Sequence, residues 1–282
     1  MKTILLPTDF SQNSLNAIDF AIATFTGVPC RFVLLHVHMT ASFVSDDLMT
    51  MGSSASIYQT LIETSKASMR QLESRLIDKH NNKLHEFMSL VDYDNFVDAV
   101  NQACKLHDAS LVILGTKGDS GLEKSIFGSN TVHLMEKSDY PVLAVPEKCK
   151  PILLNRWAVG LDYEIPLTKE ELKPLIDLAA MTNALVDVIC VKQNEDPLTP
   201  KQLKNKSKVA KIIEQTNSEF ITLFSQKVLE AITKYCVEHH CDAIALVNKR
   251  RNFLHRLFLK DEIQKFGYHI SKPLLIMPIK SA

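Results

Sequence analysis

The chain has 282 residues, enough for two domains of ordinary size that each bury a core. Its 32 basic residues balance 32 acidic ones, which argues against a general binder of nucleic acid or of acidic membranes. No apolar run is long enough to span a bilayer, and the opening stretch Met1–Pro7 is broken too soon by Pro7 and Asp9 to be a signal peptide, so the expected location is the cytoplasm.

Thr3–Leu6 reads as a first strand, ended by Pro7-Thr8-Asp9-Phe10-Ser11, with Ser11 placed to cap a helix. That helix carries Leu15, Ile18, Ile22 and Phe25 on one face, and Arg31–His38 gives a second strand. Strand, helix and strand at this length form a right-handed crossover in a parallel sheet. Asp9 then lies at the C-terminal end of a strand, where open parallel sheets bind ligands. A carboxylate there can accept two hydroxyl hydrogen bonds, and it can equally hold an Asx-turn or cap a helix. His36 and His38 alternate across their strand and read as packed or surface histidines, because a metal site needs more convergent ligands. Thr40–Ser56 is polar and reads as a loop. A helix follows with Ile62, Met69, Leu72 and Leu76 in one stripe, then a strand at Glu86–Val91 and a helix marked by Phe96, Ala99, Val100 and Ala103.

The next stretch organises the chain. An apolar run, Leu111–Leu114, reads as a buried parallel strand, and Gly115-Thr116-Lys117-Gly118-Asp119-Ser120-Gly121 follows it directly. Phe127-Gly128-Ser129-Asn130-Thr131 stands where the next helix begins, and a last apolar strand runs to Pro146. Gly115 and Gly118 suit tight turning and close approach of a ligand. At Gly128 and Ser129 the free N–H groups and the positive end of the helix dipole suit a phosphate. The pattern is neither GxGxxG nor GxxxxGK[ST], and neither occurs in the chain.

This glycine spacing, together with Pro7-Thr8-Asp9-Phe10-Ser11 and His36-Val37, resembles the signature of the universal stress protein family in its ATP-binding branch. The resemblance implies a five-stranded parallel Rossmann-like (HUP-type) sheet with helices on both faces. It also implies a bound adenine nucleotide, ATP or AMP, with or without Mg²⁺. The residues matching the family's contacts are Pro7, Thr8, Asp9, Val37, Leu114, Gly115, Thr116, Gly118, Gly128, Ser129, Asn130 and Thr131. Among them Asp9 is placed toward the ribose and Val37 against the adenine.

Glu147–Pro151 reads as a linker, after which the pattern restarts, giving domains at 1–147 and 151–282. Trp157–Asp162 matches Ile4–Asp9, Cys190-Val191 matches His36-Val37, and Pro273–Pro278 matches Pro141–Pro146. Carried back to the loop, Gly115, Gly118, Gly128 and Ser129 become Val247, Arg250, Lys260 and Asp261. Every glycine is lost, and Asp261 would put a negative charge where an anion should sit. The second copy is therefore expected to keep the fold and lose this mode of binding. The cluster Lys249-Arg250-Arg251 with Arg256 and Lys260 reads first as a solvated basic face and second as a holder of another anion. Cysteines 30, 104, 149, 190, 236 and 241 follow no framework spacing and read as reduced core residues. Cys236-Val237-Glu238-His239-His240-Cys241 matches no standard zinc pattern.

The family's domains commonly pair through their last strands, so an internal pseudo-dimer is expected, with Val142–Val145 beside Leu274–Met277; two chains could associate further. The expected function is nucleotide-dependent regulation through a protein partner, without nucleic acid or membrane. The alternatives are a weak ATPase or phosphotransferase and an adaptor whose site is vestigial. No general base stands clearly beside the phosphates. Asp119 and Glu123 read as solvated carboxylates, and Lys117 lacks a P-loop context.

Overall fold

The computed structural model describes residues 1–38, 54–116, 127–248 and 271–279. The first half runs β1 (Lys2–Pro7), α1 (Gln12–Thr24), β2 (Cys30–Val37), α2 (Ser54–His80), β3 (His85–Asp92), α3 (Phe96–Leu106), β4 (Leu111–Gly115), α4 (Ser129–Lys137) and β5 (Val142–Val145). The second runs β6 (Arg156–Gly160), α5 (Lys169–Thr182), β7 (Leu185–Lys192), α6 (Pro200–Ile212), β8 (Asn217–Phe224), α7 (Val228–Glu238), β9 (Ala243–Asn248) and β10 (Leu274–Pro278). The third strand extends one residue beyond each expected end, and α2 begins inside the stretch expected to be loop.

One ten-stranded sheet joins the halves in the order β3-β2-β1-β4-β5-β10-β9-β6-β7-β8. Pairing is parallel within each half, and each half has the same internal order. The register repeats as well: Ile4 faces Leu111 as Trp157 faces Ala243, and Val112 faces Val142 as Ile244 faces Leu274. At the centre β5 and β10 are antiparallel, with Leu143 opposite Leu275. The two apolar strands expected to meet do so, and each covers an edge that would otherwise present unpaired backbone groups.

Two apolar layers follow from the alternation of side chains along buried strands. On one face Ile4, Leu6, Phe32 and Trp157 pack under α1, α2, α5 and α6; on the other Leu5, Val33, Val112 and Ile244 pack under α3, α4 and α7. Ser11 caps α1 as expected, its hydroxyl accepting from the Ser14 N–H at 3.2 Å. The α5 start is fixed by a capping box in which the Thr168 and Glu171 side chains each bond to the other's backbone N–H.

Candidate functional site

The first half reverses its strand order between β1 and β4, and the sequence-selected residues that are described, all but Gly118, lie at the neighbouring strand ends and the α4 start. Pro7 closes β1 and is buried; Leu114 and Gly115 close the neighbouring β4. Val37 closes β2 opposite Asp92 and is half-buried. Beyond Pro7 the chain turns sharply. The Thr8 N–H donates to the Leu35 carbonyl at 2.8 Å, and the Thr8 hydroxyl accepts from the Phe10 N–H at 3.0 Å and shares a 2.9 Å bond with the Ser14 hydroxyl. The His36 ring Nδ1 donates to the Thr8 carbonyl at 2.8 Å, which gives that histidine a positioning role in the turn. Phe10 sits at φ 63°, a left-handed conformation costing a side-chain-bearing residue about 1–2 kcal/mol. The bonds around Thr8 hold it there.

This turn lifts Asp9 to the surface, where Oδ1 accepts from the Ser11 N–H at 3.1 Å and the Ser11 hydroxyl at 2.6 Å. Asp9 therefore makes the Asx-turn that its sequence context allowed, with its exposed carboxylate at the mouth of the crevice. A ribose role and the turn are compatible, because a carboxylate has about four acceptor positions.

On the β4 side the loop is pinched at its base. The Thr116 N–H donates to the Val145 carbonyl at 3.1 Å, and the Gly128 N–H donates to the Thr116 carbonyl at 2.7 Å. The Thr131 hydroxyl, buried, donates to the Gly115 carbonyl at 3.1 Å. Gly128 is the N-cap of α4 at φ −67° and ψ 157°, with no side-chain cap and no acid in the first turn. Ser129 and Asn130 are exposed on that turn. Among the described residues, no side chain caps the N–H groups of this N-terminus. Gly118, Lys117, Asp119 and Glu123 lie outside the described residues, as do Lys249–Asp261 of the second half.

Two sequence assignments change meaning. A Cβ on Gly115 would stand 2.9 Å from the Cγ, Oδ1 and backbone oxygen of Asn13, so the approach of α1 by itself requires a glycine here. Thr131 is bonded inward and braces the strand end. Asn13 and Ser14 complete the site but belong to no spacing motif, and only the fold brings them in; His36, part of the His36-Val37 match, gains its role in the turn from its bond to Thr8.

The second half keeps the turn and ties it to α6. The Leu161 N–H donates to the Ile189 carbonyl at 2.9 Å, Tyr163 repeats the left-handed backbone at φ 58°, and Asp162 Oδ1 accepts from the Glu164 N–H at 2.9 Å. Side chains of α6 hold that turn: Gln202 donates to the Asp162 carbonyl at 3.2 Å and to Glu164 at 2.8 Å, and Asn205 donates to the Tyr163 carbonyl at 2.8 Å. Val247, at the Gly115 position, is buried, and Asn248, at the Thr116 position, donates across the sheet to the Met135 and Glu136 carbonyls of α4 at 3.2 and 2.9 Å.

A ten-stranded α/β sheet of this topology, with a glycine-capped helix facing the strand-order reversal, defines a protein of the Rossmann-like class. The model of the universal stress protein family matches residues 1–146, and the chain belongs to that family. It is similar to a universal stress protein of Methanocaldococcus jannaschii, 27% identical over 150 residues that make up 53% of this chain and 84% of the relative. A second from the same organism is 23% identical, over 52% of this chain and 96% of the relative. Among solved structures, a universal stress protein from Archaeoglobus fulgidus covers 98% of this chain and 96% of its own, with a TM-score of 0.67 at 17% identity. That likeness spans both halves of the fold.

Proposed function

We propose that the first half binds one adenine nucleotide, ATP or AMP, at the C-terminal ends of β1 and β4, and that occupancy is signalled to a protein partner. The observation that carries this reading is the α4 N-terminus, which has a glycine cap, no first-turn acid and, among the described residues, no capping side chain, next to the crevice. Such a terminus attracts phosphate through its N–H groups and its dipole. Asp9 offers its carboxylate to ribose hydroxyls, Ser129 and Asn130 add polar side chains at the phosphate end, and Val37 gives an apolar wall for the base. The second half, which has Val247 buried at the Gly115 position and no glycine at those of Gly118 and Gly128, is read as a degenerate copy that serves the fold.

The reading is tested by native mass spectrometry of the purified chain and by calorimetry with ATP and AMP. One nucleotide per chain is expected, lost in Gly128→Val. The φ of −67° at Gly128 is one any residue adopts, so this variant stays folded and its added bulk stands at the phosphate end. Two equivalent sites per chain, or unchanged affinity in the variant, would overturn it. Release of inorganic phosphate over time, followed in the same samples, separates a binding regulator from a slow hydrolase.

A further inference from the structure

A cavity of about 280 Å³ lies on the seam between the halves. It opens beside Lys2 and Leu111, at the N-terminal ends of β1 and β4, and so at the opposite edge of the first half from Asp9 and Gly128. The first half supplies the floor, with Ile4, Phe25, Leu111 and Pro141; α5 of the second half supplies the roof, with Pro174 and Leu178. Its volume approaches the lower end of the range typical of small-molecule sites, about 300 Å³ upward, so the occupant is small.

The charged groups around this apolar space are mostly carboxylates. Four carboxylates line it, Asp139, Glu170, Glu171 and Asp177, against two ammonium groups, Lys2 and Lys173. Both lysines are already committed to Asp177, each at 2.8 Å. Glu171 is committed to the capping box at Thr168. Glu170 and Asp139 remain exposed on the rim, and neither shows an ion pair among the described residues. Pro174 has no N–H to give to the Glu170 carbonyl four residues earlier, and both residues line the cavity.

We infer that this cavity is a second binding site, for a small organic amine with an apolar body. The apolar part fills the space between Ile4, Leu111 and Leu178, and the ammonium meets Glu170 and Asp139 at the rim. A carboxylate ligand would face like charges and find both lysines occupied. A ligand held there touches both halves at once.

Calorimetry on the full chain with phenethylammonium and with 3-phenylpropionate, which differ little in size and are opposite in charge, tests the inference. The ammonium is expected to bind once per chain, and the carboxylate at least about tenfold more weakly. Glu170→Gln with Asp139→Asn, both exposed and therefore compatible with folding, should weaken the ammonium by a similar factor. Ser110→Tyr on the exposed rim should block it, with circular dichroism confirming the fold. Gly128→Val should leave it unchanged, which separates this site from the nucleotide crevice. No ammonium binding at millimolar concentration, equal binding of both probes, or full binding in the Glu170→Gln/Asp139→Asn variant would overturn the inference.

Discussion

Asp9 accepts two hydrogen bonds from Ser11 and so holds the turn even with no nucleotide present. Asp9→Ala would therefore confound loss of a ligand contact with a loosened α1 start, and Asp9→Asn is the cleaner change. An Asn oxygen can still accept from Ser11, while the charge is gone. Hydrogen bonds to charged acceptors contribute about 1.5–3 kcal/mol against about 0.5–1.5 for neutral ones, so ATP, ADP and AMP should all weaken by about tenfold. A loss confined to ATP and ADP and dependent on Mg²⁺ would move Asp9 from the ribose to a metal on the phosphates. Gly115 makes the opposite kind of prediction. Gly115→Ala should destabilise the protein by about 1–3 kcal/mol without any ligand, as overpacking does, measured by urea unfolding. Adding Asn13→Ala should recover only part of this, because the Asn13 backbone oxygen also lies 2.9 Å from the new Cβ. The sequence placed Gly115 in the site by its spacing; its physical reason came from a helix a hundred residues away, which no local pattern encodes. Asp9 was legible as a strand-end carboxylate, but whether it made a turn or served a ligand was not, since both use the same acceptor atoms.

Among the elements, strands and helices of the first half were readable because their apolar periods are clean. The repeat offsets also survived into the register, so Asp162 stands at the Asp9 position. What stayed hidden was what the second half did with the freed positions. Its β7 carries Asp187, fully buried, where β2 has Val33. Asp187 Oδ2 accepts from Arg156 Nε at 2.7 Å and from the Tyr235 hydroxyl at 3.2 Å. Burial and the Asp187 carboxylate push the Tyr235 phenol up to about 12, so it donates at neutral pH. Arg156→Ala strands a buried carboxylate and should cost about 3 kcal/mol or more in urea unfolding. Arg156→Thr combined with Asp187→Val restores the first-half residues at both places and should recover most of that loss. A double variant no more stable than Arg156→Ala would show that the cluster does more than satisfy itself. Helix α5 carries a pH-dependent tie of a different kind. Burial of Asp177 raises its pKa, but hydrogen bonds from Lys173 and Lys2 outweigh this and leave it below the ordinary value. A carboxylate lowered on folding stabilises above its unfolded pKa and loses that contribution as pH falls through the folded value. The stability gap between wild type and Asp177→Asn should accordingly be full near pH 7 and close on acidification below about pH 4.

For the whole molecule, the neutral total conceals a polarity. Residues 1–147 hold 11 basic and 17 acidic residues, a net of −6, and residues 148–282 hold 21 and 15, a net of +6. Helix α6 alone contributes five lysines and no acid, four of them exposed. A balanced total does not show this, because the sum carries no information on where charges gather once the chain folds into two halves. The β5–β10 seam thus joins halves of opposite sign as well as two apolar edges. The Methanocaldococcus jannaschii relatives match about half of this chain over 84% and 96% of their own length, so a unit of this size stands alone there. A fragment of residues 1–147 should fold and expose the outer edge of β5, whose Val142–Val145 run is apolar and loses its partner on that side once β10 is gone. It should therefore self-associate through β5, against repulsion between two halves of net charge −6. Screening acts over about 30 Å at 0.01 M salt and about 10 Å at 0.1 M, so added salt should strengthen that homodimer. Mixing it with a fragment of residues 148–282 should instead give a heterodimer that forms best at low salt and weakens as salt is added. Sedimentation velocity over that range reads both trends. A 1–147 fragment that stays monomeric at every salt concentration would show that β5 does not drive the seam, and a heterodimer insensitive to salt would remove charge from its specificity.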